Sequence, residues 1–167
     1  MPMAAQIAII ACGNSNRCDD GAGPEVLRLL ARDRHFAPSA DVRLLDAGTD
    51  GMAVMFAAEG CETLIIVDAC RSGSEPGAIF EVPGMQLEQP PRDSFNLHDF
   101  RWDHALFAGR KIFRDRFPSD VTVLLIEAET LDFGIALSAR VAAAAERVAG
   151  RIRAMIAERR PAERARS

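Results

Sequence analysis

Short apolar runs alternate with amphipathic stretches along this chain. Residues 6–11 form a compact apolar run, followed by a polar, glycine-punctuated loop over residues 12–23. Such a run predicts a buried strand. Pro24 suits the first turn of a helix, and Val26, Leu27, Leu29 and Leu30 give that helix an apolar side. Residues 42–45 predict a second strand, closed by Ala47, Gly48 and Thr49, and residues 52–59 predict a helix. Residues 64–67 are apolar throughout, as a central parallel strand buried on both faces requires. A short fourth strand over 79–82 follows the turn Ser74-Glu75-Pro76-Gly77. Residues 83–96 predict a loop, because Pro90 and Pro91 exclude a helix there. Residues 98–117 predict an amphipathic helix stopped by Pro118, and residues 121–126 a fifth strand. Ser138 is placed to cap a last helix, whose Val141, Val148, Ile152 and Ile156 form a stripe near helical spacing. Residues 161–167 predict a frayed polar tail.

This alternation predicts the α/β class: a single three-layer α/β/α domain over residues 1–160. Its five-stranded sheet is expected to be mostly parallel, with strand 79–82 as the antiparallel exception. With 49% apolar residues in 167, one core can form without staples. The formal net charge of −4 argues against a nucleic-acid surface, which needs clustered Lys and Arg. No apolar run is long enough to span a bilayer, so membrane insertion is not expected. The first apolar run lacks a basic flank and reads as a strand rather than a signal peptide, which points to the cytoplasm. Cys12, Cys18, Cys61 and Cys70 make no CxxC pair and no zinc spacing, so reduced, mostly buried thiols are expected. Cys18 lies in an acidic loop with no histidine near it in sequence, which argues against a thiol nucleophile.

Open parallel sheets bind ligands beyond the carboxyl ends of their strands. The loops after residues 11, 45, 67 and 126 are therefore the places to search. The first carries Asp19 and Asp20, the second strand ends in Asp46, the third in Asp68, and the long loop delivers His98. Half-buried acids need a positive partner. Two carboxylates and an imidazole suit a divalent ion such as nickel, zinc or manganese. Plainer readings exist for each. An aspartate after a strand is commonly a turn or cap residue, and Asp20 could cap the helix near Pro24. A lone histidine is commonly a surface or capping residue, which is how His35 and His104 are read. Other chemistries fit less well, since the chain has no GxGxxG, P-loop lysine, GxSxG elbow or HExxH. Adjacent acids such as Asp19 and Asp20 also do not make a shared-proton dyad.

Five segments taken together resemble one family. Gly13-Asn14-Ser15-Asn16-Arg17-Cys18-Asp19-Asp20-Gly21-Ala22-Gly23 is similar to the first signature of the hydrogenase maturation proteases. Asp46-Ala47-Gly48-Thr49 is similar to their second, and Leu64-Ile65-Ile66-Val67-Asp68-Ala69 to their third. Asn96-Leu97-His98-Asp99 resembles their histidine segment. Ile126-Glu127-Ala128-Glu129-Thr130-Leu131, with Gly134 and Leu137-Ser138, resembles their late strand-loop-helix segment. The sequence departs from the family pattern at Asn16, where an apolar residue is usual, at Cys18, and at Ala128, where proline is common. The run Asp99-Phe100-Arg101-Trp102-Asp103-His104 is also more polar than the pattern.

The resemblance implies an endopeptidase that removes the C-terminal extension of a [NiFe]-hydrogenase large-subunit precursor after nickel insertion. It implies that Asp20, Asp68 and His98 are the metal-contacting and catalytic positions, and that Asp46, Gly48 and Thr49 lie near the substrate cleft. Nickel would come with the substrate, leaving the resting enzyme metal-free. The precursor would be the partner, and the enzyme a monomer or weak oligomer. The alternative is a non-catalytic α/β module that binds a metal or ligand without cleaving anything.

Overall fold

The computed structural model describes residues 6–34, 36, 41–92, 96 and 99–159. Five strands, β1 (Ile7–Cys12), β2 (Val42–Gly48), β3 (Thr63–Cys70), β4 (Ile79–Pro83) and β5 (Asp120–Glu127), form one sheet in the order β2-β1-β3-β5-β4. β1 pairs in parallel with β2 and β3, and β3 with β5; β4 alone runs antiparallel, against β5. The expected three-layer, mostly parallel architecture with its antiparallel exception is thus the observed one.

Strict alternation along the central strands builds the two faces. Ile7, Ile9, Ile65, Val67, Leu124 and Ile126 point to one core with the helices α1 (Ala22–Arg32) and α4 (Ala139–Arg159). Ala8, Ile10, Leu64, Ile66, Val121 and Val123 point to the other, with α2 (Gly51–Ala58) and α3 (Trp102–Phe113). Ile9, Ile10, Leu64, Ile65 and Ile66 are all fully buried. Each such side chain contributes roughly 1.5–3 kcal/mol relative to exposure, so the middle of the sheet anchors the fold. The edge strand β4 is tied to α4 by Arg151, which donates two hydrogen bonds of 2.9 Å to Glu81. At the amino ends of the strands, the Gln6 carbonyl accepts from Glu62 and Thr63, and Arg159 at the end of α4 pairs with Asp120 at the start of β5.

Several boundaries differ from the sequence expectation. β2, β3 and β5 continue into Gly48, Cys70 and Glu127, because backbone pairing outlasts the apolar run. The segment 83–96 contains a short 3-10 turn, Gly84–Gln86. The expected helix over 98–117 begins only at Trp102 and ends at Phe113. There Arg114 takes a left-handed conformation (φ 50°) and the chain folds back. The Phe117 ring then packs so closely on Gly109 that a Cβ there would lie 2.2 Å away. Ser138 precedes α4, where its carbonyl accepts from the Ala142 amide and its hydroxyl donates to Asp19. The segment 161–167, expected to fray, and His35 lie outside the described residues.

Candidate active site

β1 feeds α1 and β2 on one side, while β3 lies on its other side. The crevice of such a sheet opens at that reversal. A cleft of about 450 Å³ occupies it, lined by residues that include Cys12, Gly13, Asp20, Gly48, Thr49, Asp68, Arg71, Arg101, Trp102 and Leu131. Asp20 and Asp68, from different segments, are therefore brought together in one cleft. Gly48 and Thr49 join them at the end of β2. Asp46 does not line the cleft; its carboxylate accepts from the Gly48 amide at 3.0 Å and shapes the turn beneath it. His98 lies outside the described residues.

Local folding explains how the two acids come to face one another. Residues Cys18–Gly21 form a 3-10 turn leading straight into α1. Asp20 does not cap that helix. Its Oδ2 accepts from the Asn14 amide at 2.8 Å, which closes the loop and leaves the carboxylate at the cleft. Gly13 (φ +124°) lies under this turn, where a Cβ would sit 2.0 Å from the Asp20 carbonyl oxygen and 3.4 Å from Asp68 Oδ1. Only glycine permits that approach.

Asp68 is 5% exposed. Its Oδ2 accepts from Trp102 Nε1 at 2.8 Å, and its Oδ1 from the Ala69 amide at 2.8 Å. The Arg101 guanidinium, 63% exposed, stands 3.8 Å away. Burial pushes the Asp68 carboxyl up to about 6. Trp102 and Arg101 oppose the rise, and the nearby Asp20 charge adds to it. The result is a carboxylate with a raised pKa beside a second acid. Two carboxylates are donors suited to a divalent ion. Among the described residues no group of three or more His, Cys, Asp or Glu is arranged to hold one.

The thiols at the cleft are held protonated. Burial and the Asp68 charge push Cys12 far up. Burial and the hydrogen bond to Glu127 push Cys70 up to about 12. Neither is a thiolate near neutral pH. All four cysteines are free, with Cys12 and Cys61 buried and Cys18 and Cys70 half-buried.

Three residues hold the site together in roles that were not read from the sequence. Asp19 is fully buried and accepts from the Glu129, Thr130 and Ser138 amides and the Ser138 hydroxyl at 2.7–3.0 Å. Glu127, 1% exposed, accepts from the Ser72 and Gly73 amides, the Ser72 hydroxyl and Cys70 Sγ, and so fixes the loop after β3. Trp102 orients Asp68. The available signal was the chain's only tryptophan close behind a candidate ligand, since a buried indole N–H needs an acceptor. Trp102→Phe is expected to move the acid limb of any Asp68-dependent activity to higher pH, because the bond it removes lowers that pKa. It should also cost about 1–3 kcal/mol of stability, as a buried acceptor loses its donor. A pH–rate profile with a denaturation curve checks both.

A family model described as hydrogenase maturation protease matches residues 24–155. The chain belongs to the hydrogenase maturation protease family. Among curated relatives, it is 34% identical over 104 residues to the coenzyme F420 hydrogenase subunit delta of Methanothermobacter thermautotrophicus. That match covers 59% of this chain and 63% of the relative, just under two thirds of its length. The hydrogenase expression/formation protein HoxM of Azotobacter vinelandii is 29% identical over 148 residues, covering 86% of this chain and 68% of that one. Among solved structures, the hydrogenase maturating endopeptidase HybD from E. coli superposes with a TM-score of 0.75 at 23% identity, covering 93% and 94% of the two chains. The [NiFe] hydrogenase maturation protease HybD from Thermococcus kodakarensis gives 0.69 at 24%, covering 90% and 98%. At these identities the superpositions speak for a shared fold.

Proposed function

We propose that this chain is an endopeptidase that removes the C-terminal extension of a [NiFe]-hydrogenase large-subunit precursor once nickel is in place. In this reading Asp20, Asp68 and His98 recognise the metal carried by the substrate, and Gly48 and Thr49 border the path of its polypeptide. The observation that carries it is the convergence of Asp20 and Asp68 in one crevice of a chain that belongs to a peptidase family. Donors left open by the resting protein can complete the coordination of an ion the substrate already holds. Asp68, poised near neutrality, can take up that role or accept a proton from water.

The test is incubation of nickel-loaded and nickel-free precursor with the protein, followed by mass spectrometry. The loaded form should lose its C-terminal extension and the nickel-free form should stay whole. Equal cleavage of both would remove metal reading from the mechanism. Stable binding of the loaded form without any cut would make the chain a binding module.

A further inference from the structure

Two arginines line the same crevice as the acids. Arg71 directly follows β3, and Arg101 directly precedes α3. The backbone at each is held. The residues on either side of Arg71 are tied to Glu127, one through Cys70 Sγ and the other through the Ser72 amide and hydroxyl. The Arg101 amide donates to His104 Nδ1 at 3.2 Å, and its carbonyl oxygen passes Gly51 so closely that a Cβ there would lie 2.8 Å away. Both arginines therefore border the cleft from fixed points, and only their own side chains need ordering when a ligand binds.

The cleft's own acids do not satisfy this pair. The Arg101 guanidinium approaches Asp68 only to 3.8 Å, beyond hydrogen-bond length. Arg71 is exposed and pairs with no carboxylate among the described residues. The acids are engaged elsewhere: Asp20 accepts from the Asn14 amide, Asp68 from Trp102 and Ala69, and Asp50 from the Met52 and Ala53 amides of α2. A guanidinium is a planar fork of donors whose geometry matches a carboxylate. Charge selects the same ligand. A divalent ion arriving at Asp20 and Asp68 would repel Arg101, which now stands beside Asp68. A substrate carboxylate at the arginines relieves that repulsion and takes over the guanidinium that the ion displaces. We propose that Arg71 and Arg101 form a subsite for a carboxylate on the C-terminal extension of the substrate polypeptide, held there while the acids meet the metal. This rests on the reading of the chain as a peptidase acting on a metal-bearing precursor.

The experiment measures binding and processing of fluorescently labelled, nickel-loaded precursor by wild type, Arg71→Gln, Arg101→Gln and the double variant. It is run at about pH 8, well above the raised pKa of Asp68. Circular dichroism checks that each variant is folded. Each single change should weaken binding roughly fivefold, and the pair roughly twentyfold or more, as expected for charge-assisted hydrogen bonds at a partly exposed site. KM should rise in step with Kd, and the loss should shrink as salt is raised. Two altered precursors locate the carboxylate. In one, every Asp and Glu of the extension is changed to Asn or Gln; the other is lengthened by several glycines, which moves the terminal carboxylate. One of the two should bind wild type and the double variant equally, and that one identifies the source. Equal Kd of wild type and the double variant for the unaltered precursor overturns the subsite, as does no binding by wild type. So does a loss that persists in full with both altered precursors, since the arginines would then act without an extension carboxylate. Arginine-dependent binding that vanishes with an altered precursor, yet without any cleavage, sinks the peptidase reading and leaves the subsite standing. Cleavage by the double variant with unchanged KM does the reverse.

Discussion

Asp68→Asn is expected to abolish processing and to make the protein more stable at neutral pH. Asparagine keeps the shape of the side chain and an oxygen for Trp102, so no cavity opens; its NH2 leaves the single Ala69 amide without an acceptor, a cost of about 1 kcal/mol that offsets part of the gain. It removes the charge that the buried carboxylate carries at pH 7. Asp68 ionises near 6 in the folded chain, against an ordinary value of 3.8. The folded state thus binds the proton more tightly than the unfolded one, and Asp68 costs stability as pH rises through about 6. The corresponding shift is worth up to about 3 kcal/mol. The variant's advantage should be full above about pH 6 and should vanish as pH falls towards 4. Urea denaturation of both proteins across that range measures it. Wild-type processing should itself decline below about pH 6, as Asp68 takes up its proton. Asp20→Asn and His98→Ala should be equally inactive. A folded Asp68→Asn protein that still trims the nickel-loaded precursor would remove this residue from the active site.

The features legible in the sequence were those that burial writes in hydrophobicity. β1 and β3 lie between two helical layers and read as unbroken apolar runs, so their positions and the sheet's class followed directly. Strand ends were less legible. Asp46, Asp68 and Glu127 read as the start of loops because they are polar, yet their backbones still pair in the sheet. The two halves of the Asp19-Asp20 pair were harder still. Which acid faces the interior is decided by a 3-10 turn that leaves no mark in composition. The resemblance pointed to Asp20, and the fold gives Asp19 the separate task of binding two loops together. The late start of α3 was also hidden, since residues 99–101 fit a helical pattern as well as the segment that brings Arg101 and Trp102 to Asp68.

The second large effect is expected at Asp19. Its carboxylate is fully buried and both oxygens are engaged, one by the Ser138 amide and the other by the Glu129 and Thr130 amides and the Ser138 hydroxyl. Asp19→Asn replaces one acceptor oxygen by an NH2 group that must face donors, and it withdraws the charge that strengthens the remaining bonds. Each buried amide left without an acceptor costs about 1–3 kcal/mol. The variant should lose about 3 kcal/mol or more, seen as a fall in Tm of roughly 6–12 °C for a chain of this size. Asp68→Asn should shift Tm the opposite way. That contrast separates an acid that builds the site from one that works in it, although both are buried aspartates beside the same crevice. Activity of Asp19→Asn at low temperature should survive in part, because Asp20 and Asp68 keep their charges. A Tm unchanged from wild type would show that the loops 13–23 and 128–138 are held by other means.

Gln6 and Arg159 both lie at the amino ends of the strands, and the acids lie at the carboxyl ends. A linker joined at either of these residues leaves the molecule on the side away from the cleft. Immobilised through such a linker, the protein would stand with its crevice turned to the bulk solution. A folded precursor too large to reach under a tethered molecule would still find an unobstructed approach, which makes either attachment point suitable for surface-based capture of intact substrate.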